Sequence, residues 1–153
     1  MSLDFLPATV YDHATSVFWA GKVDARPKHC FWNALLPVRT THGSIGVYVE
    51  GFVLESFGLV LEHGWIETPD RRVIDPTFSV CEGNDPEWPY RYLPALRFSD
   101  AQVQDIDLDR FPRYCDGGHN CRLERKDPWA STRQAAYAAL ARLAAAVTTD
   151  EKA

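Results

Sequence analysis

The chain has 153 residues, 46% of them hydrophobic with eight Phe, six Tyr and five Trp, enough for one packed core, whereas two independent cores in this length would each be marginal. A formal charge of −5 and the lack of any Lys/Arg stripe exclude a nucleic-acid-binding protein that works by counterion release. No segment approaches the roughly 18 apolar residues of a membrane span, and residues 1–30 lack a basic stretch followed by an apolar run, so the sequence reads as one soluble, cytoplasmic domain over 1–153 with no membrane partner.

In chain order, Val10, Ala14, Val17 and Phe18 fall at spacings of three and four, which predicts a first helix over 9–20 with Gly21 as its stop. Pro27 precedes a run from Lys28 to Leu36 that ends at Pro37, so a short helix is expected to start near Cys30. Ile45, Val47 and Val49 alternate with small or polar residues through Val53, a strand pattern. A second strand over 58–67 meets the turn signal Thr68-Pro69-Asp70, and 71–75 resumes it as a hairpin in an antiparallel meander. Residues 92–98 read as an edge strand because Pro94 cannot donate to a ladder, and Ser99 is placed to cap a short helix to about Ile106. Residues 109–127 read as irregular, and Asp127-Pro128 opens a C-terminal helix over 128–147, outside a core spanning 28–107.

A cysteine is a useful nucleophile only as a thiolate, and a helix start supplies both partial positive charge and unpaired backbone donors. Cys30 is placed to receive both. An imidazole must then take the thiol proton and return it to the leaving group, and a third group must fix its tautomer. His63 and Asp75 lie on consecutive strands, nearly symmetric about the turn at Pro69-Asp70, and directly opposed strand positions bring Cβ atoms to about 5 Å. The helix start is expected to pack on that same sheet face and carry Cys30 to the other imidazole nitrogen. Asn33, one turn beyond Cys30, is a candidate support for the site or a helix-packing hydrogen bond, and Trp65 shares the face of His63, placed to shield the ring or line an acyl pocket.

Cys30 opening a helix, Tyr48-Val49-Glu50-Gly51-Phe52, His63-Gly64-Trp65-Ile66-Glu67 and Val73-Ile74-Asp75-Pro76-Thr77, in that order, resemble the transglutaminase-like branch of the papain-like cysteine protease superfamily, with Gly64 in the place of the motif's alanine. The resemblance extends to small bacterial and phage open reading frames having C-x-x-N-A and E-H-x-W, and covers roughly residues 28–78. It implies an α+β, papain-like or transglutaminase-like core in which the helix bearing Cys30 packs on a twisted antiparallel sheet of about four strands. It also implies acyl transfer through a thioester on Cys30, with His63 as base and acid and Asp75 as its orienter. The partner would be a peptide, a protein or a small amide substrate, and no cofactor is required.

Two other readings belong beside this one. The first is a papain-like module that binds proteins or peptides without turnover, with Cys30 an ordinary thiol. The second is a zinc site made of Cys81, Cys115, His119 and Cys121; its spacing matches no zinc signature, and a Gly-rich loop with incidental cysteines or a reversible disulfide explains 115–121 as simply. His13, His29 and His42 read as structural, and Glu67 as a solvated strand end. The sequence does not fix an oligomeric state.

Overall fold

The computed structural model describes residues 11–54, 60–87, 90–109 and 111. The first helix, α1 (His13–Lys22), begins after Asp12, whose carboxylate accepts from the Thr15 amide at 3.0 Å and so satisfies one of the donors that a helix start leaves unpaired. Gly21 does not end it. A single interior glycine costs only about 1 kcal/mol relative to alanine, and the Val23 amide still reaches the Trp19 carbonyl. The inward face also departs from the apolar spacing: Ser16 and Ala20 are buried, whereas Val17 and Phe18 are 48% and 55% exposed. Ser16 turns inward because its hydroxyl donates to the Asp12 carbonyl at 2.6 Å and accepts from the Asp75 amide at 2.9 Å.

The second helix, α2 (Cys30–Thr40), starts at the cysteine and runs through Pro37 instead of stopping there. Proline removes one intrahelical donor, but the next turn is secured from the side chains. The Thr40 hydroxyl donates to the Leu36 carbonyl at 2.9 Å and the Thr41 hydroxyl to the Pro37 carbonyl at 2.8 Å.

Four antiparallel strands follow: β1 (Val47–Leu54), β2 (Val60–Glu67), β3 (Val73–Ile74) and β4 (Arg91–Phe98), in the order β3-β2-β1-β4. A one-turn 3-10 helix (Phe78–Val80) links β3 to the loop before β4, and α3 (Asp100–Gln104) is closed by a capping box between Ser99 and Gln102. The architecture is therefore α+β, and among the described residues β4 takes the edge position expected from Pro94. Most of 109–127, and the whole of 128–147, lie outside the described residues.

Alternation along β1 and β2 divides the core. On one face Tyr48 and Ile66 pack with Ile74, Val103 and the α2 residues Ala34, Leu35 and Val38. On the other, Val49, Val53 and Trp65 pack with Val73, Phe78, Tyr90 and Tyr92. Helix α2 thus lies on the face opposite to that of His63, contrary to the expectation that the two share one. Two features reconcile this with a meeting of Cys30 and His63. Strand β3 pairs with β2 only at Ile66 and Glu67, so among the described residues no strand borders β2 from Trp65 back to Val60 on that side. Beside that margin, Gly64 lets the start of α2 come in closely: a Cβ there would sit 3.0 Å from the Phe31 Cα and 3.3 Å from the Cys30 carbonyl. The alanine of the resembled motif would crowd this backbone.

Gly51, opposite His63 across the β1–β2 ladder, is required more strictly. At this point the register with β4 slips, Glu50 facing Leu96 and Gly51 facing Pro94, so that Ala95 is a bulged extra residue. A Cβ on Gly51 would lie 2.2 Å from the Leu93 carbonyl oxygen and 2.7 Å from the Trp65 ring. Gly51→Ala is expected to cost about 2 kcal/mol or more through this overpacking, read as a lower urea midpoint. Gly21→Ala, with nothing within 4 Å of the added Cβ, is expected to gain about 0.5–1 kcal/mol.

Candidate active site

Asp75 follows directly after β3, in the segment Ile74-Asp75-Pro76-Thr77. The observed pairing of Ile66 with Ile74 and Glu67 with Val73 would place Asp75 beside Trp65, so it reaches His63 diagonally and not from a directly opposed position. The reach is short: His63 Nε2 and Asp75 Oδ2 are 2.6 Å apart, with the two side chains 4% and 0% exposed. The Cys30 sulfur lies near enough to the same imidazole to act on it electrostatically, and with Nε2 committed to Asp75 the nitrogen left to face it is Nδ1. The three residues singled out from the sequence therefore converge, on α2, on β2 and just after β3.

The carboxylate is satisfied on both oxygens. Oδ1 accepts from the Thr77 and Phe78 amides, each at 3.1 Å, and Oδ2 accepts from the Tyr92 hydroxyl at 3.0 Å in addition to His63. A wholly buried charge is tolerable only with such a set of donors. Burial alone would lower the His63 pKa, but the Asp75 carboxylate and then the Cys30 sulfur outweigh it, and the imidazole is pushed up to about 10. The ring is also enclosed by aromatic side chains. Phe78 stacks on it with centroids 4.6 Å apart and planes at 24°, and Trp65 lies beyond at 6.4 Å and 19°.

Asn33 supports the site from behind. Its side-chain amide donates to the Arg26 carbonyl at 2.8 Å and to the Thr77 hydroxyl at 3.0 Å, so it ties the turn before Cys30 to the segment that carries Asp75. In that turn the His29 amide bonds the Arg26 carbonyl at 3.3 Å, and Lys28 adopts φ +66°, the left-handed conformation that a turn of this kind usually gives to glycine. Trp65 is fully buried among Val49, Val53 and Tyr92, so it backs the imidazole and does not line an open pocket.

His29 caps α2 without a side-chain bond to its amides; burial and then Arg26 hold its imidazole below the usual value, so it brings no extra positive charge to Cys30 at neutral pH. Glu67, read as a solvated strand end, accepts from Arg97 at 2.9 Å. Of the residues in the zinc reading, Cys81 is half-buried, and Cys115, His119 and Cys121 lie outside the described residues. Among the described residues no cluster of His, Cys, Asp or Glu is arranged to hold a metal, and no helix is long and apolar enough to cross a membrane.

Sequence reasoning missed Ser16, Thr77, Phe78 and Tyr92. For Thr77 and Phe78 there was a signal, since an Asp two and three residues before a turn's amides commonly accepts from them. For Ser16 and Tyr92 the bonds span 59 and 17 residues and leave no local trace. Comparison with protein-family models, curated proteins and solved structures finds no match to this chain.

Two outcomes follow from this geometry. Asp75→Asn places its oxygen at the Thr77 and Phe78 amides and its NH₂ toward His63 and Tyr92, where only an acceptor fits; the imidazole must then accept at Nε2 and present N–H to Cys30, the wrong tautomer. The variant is expected to melt earlier by about 2 kcal/mol or more and to show no His63-dependent labelling of Cys30 by iodoacetamide. In the second, the raised His63 pKa means that the folded state holds a proton that the unfolded state, titrating near pH 6.5, releases. Its contribution to stability is complete below about pH 6.5 and is lost as pH rises toward 10. The urea midpoint should fall across that window more steeply for the unsubstituted chain than for His63→Gln.

Proposed function

We propose that the chain is a cysteine-nucleophile acyl-transfer enzyme of papain-like, transglutaminase-like character, acting on peptide, isopeptide or other amide-type acyl groups. One observation carries the reading: His63 is held by Asp75 at 2.6 Å on one nitrogen while the Cys30 sulfur, at the first residue of α2, acts electrostatically on the same ring. Nucleophile, base and orienter in that sequence of contacts are what activation of a thiol requires.

In the proposed cycle the Cys30 sulfur, paired with an already protonated His63, attacks the substrate carbonyl carbon. Negative charge passes to the carbonyl oxygen, for which the Cys30 backbone amide at the helix start is a suitable donor. The intermediate collapses with cleavage of the C–N bond, His63 gives its proton to the departing amine, and the acyl group remains on sulfur as a thioester. Water or a second amine then loses a proton to His63 as it attacks the thioester, and the Cys30 sulfur is released beside the protonated ring, which restores the starting state. Asp75 keeps its charge throughout and holds the imidazolium in place.

Burial favours a second reading. Cys30 is 4% and His63 3% exposed, so a substrate needs a way in, and a papain-like module that binds without turnover would tolerate such closure. Iodoacetamide labelling at about pH 6, mapped by mass spectrometry, separates the two. For an enzyme, Cys30 should react at least about tenfold faster than Cys81 and lose that advantage in His63→Ala. Equal or slower reaction of Cys30 would favour the binding module. Cys30→Ala should then abolish release of fluorophore from peptidyl aminocoumarins, or acyl transfer to hydroxylamine, while leaving the melting curve nearly unchanged; a fully active Cys30→Ala chain would sink the proposal.

A further inference from the structure

Asp75 is gripped by a side chain with no place in the triad. Tyr92 sits on β4 at the far margin of the sheet, yet its hydroxyl donates at 3.0 Å to Asp75 Oδ2, the oxygen that also holds His63 Nε2 at 2.6 Å. The two donors cannot separate onto different oxygens, because Oδ1 is already occupied by the Thr77 and Phe78 amides. Nor can water stand in for the phenol. Tyr92 is fully buried, packed against Trp65 at 5.1 Å between ring centroids and against Phe78 and Tyr90 at 6.5 Å each.

From these contacts we propose that Tyr92 is a positioning residue that sets how tightly Asp75 holds the proton-carrying imidazole of His63, an inference that rests on the functional reading above. A hydroxyl hydrogen bond takes up part of the negative charge on the oxygen it shares, and so weakens that oxygen's pull on the imidazolium. In a thiol enzyme this matters in both halves of the cycle. A histidine held too firmly in its charged form gives up its proton reluctantly to a leaving amine and serves poorly as a base toward water, whereas a carboxylate with two opposed donors keeps the ring oriented while moderating its basicity.

The phenol remains a donor across the working range, since burial and then the charge of Asp75 hold it well above the ordinary tyrosine value. The titratable groups facing this unit are Asp75 and Cys30 around His63, and Asp75, Tyr11 and Tyr90 around Tyr92. Tyr11 is likewise raised by burial and by Asp75, so no second phenolate forms to confuse the effect near neutral pH.

The test is titration of His63 by NMR in the full chain labelled with carbon-13 at the histidine rings, with the resonance assigned by its loss in His63→Ala. A Cys30→Ala background removes the sulfur's contribution and brings the midpoint down into a convenient range. Tyr92→Phe is expected to raise the midpoint by roughly 0.5–1 unit, and 3-fluorotyrosine at position 92, a stronger donor, to lower it. An unchanged midpoint, or shifts of the same sign for both substitutions, would overturn the proposal. The fluorinated ring keeps hydroxyl and shape, so its shift decides the matter alone should Tyr92→Phe not fold. The resonance reports whether or not the protein turns over any substrate. Opposite shifts in a chain that proves catalytically inert would leave the role of Tyr92 standing and remove only the enzymatic reading.

Discussion

A carboxylate with no exposure to solvent has to find all of its hydrogen-bond donors within the protein, and in this chain that demand at Asp75 organises four separate segments. Its oxygens draw in β2 through His63, β4 through Tyr92 and the 3-10 turn through the Thr77 and Phe78 amides, and its own amide is bound by Ser16 of α1. Removing any one donor leaves a buried charge undercompensated, which costs more than a typical neutral hydrogen bond contributes. The same contacts that reconcile a charge with the core therefore fix the imidazole and, through it, the position of the thiol. Structure and proposed chemistry draw on one network, so a substitution aimed at either disturbs both.

The sheet serves that network by what it omits. Strand β3 ends after two residues, before it would border His63, and Pro76 prevents its continuation as a ladder. Glycines stand on either side of the histidine, Gly51 across the ladder and Gly64 next in sequence. One makes room for the Trp65 ring and the bulged β4 backbone, and the other for the first turn of α2. Each is set by a backbone approach too close for a side chain. The helix can consequently pack its apolar side on one face of the sheet while its first residue meets an imidazole that projects from the other.

How much of this was legible in the sequence depended on the range of the interaction. Alternation and turn chemistry are local, so the strands, the hairpin, the helix start at Ser99 and the edge position forced by Pro94 were readable. The convergence of Cys30, His63 and Asp75 was anticipated because an ordered set of short motifs carried it. The inward face of α1 was not, since a buried serine with an amide from 59 residues away outweighs exposed Val17 and Phe18, and periodicity cannot register such a partner. Pro37 and Gly21 failed as helix stops for a similar reason: their local penalties, about 3 and 1 kcal/mol, are offset by tertiary packing and, at Pro37, by the hydroxyls of Thr40 and Thr41. The face on which α2 packs was misjudged because strand parity fixes which residues share a side, but not where a neighbouring strand ends.

Pro94 and the bulge beside it have a further consequence, for the behaviour of many copies together. A sheet exposes unsatisfied amides and carbonyls at both margins, and these are templates on which another chain can pair. Here the β4 margin carries a proline, a bulge at Ala95 and the flanking charges of Arg91 and Arg97. It does not offer the long, flat, apolar ledge from which cross-β stacking grows. The irregularity that makes room for the Trp65 ring thus also makes this margin a poor template for pairing between copies.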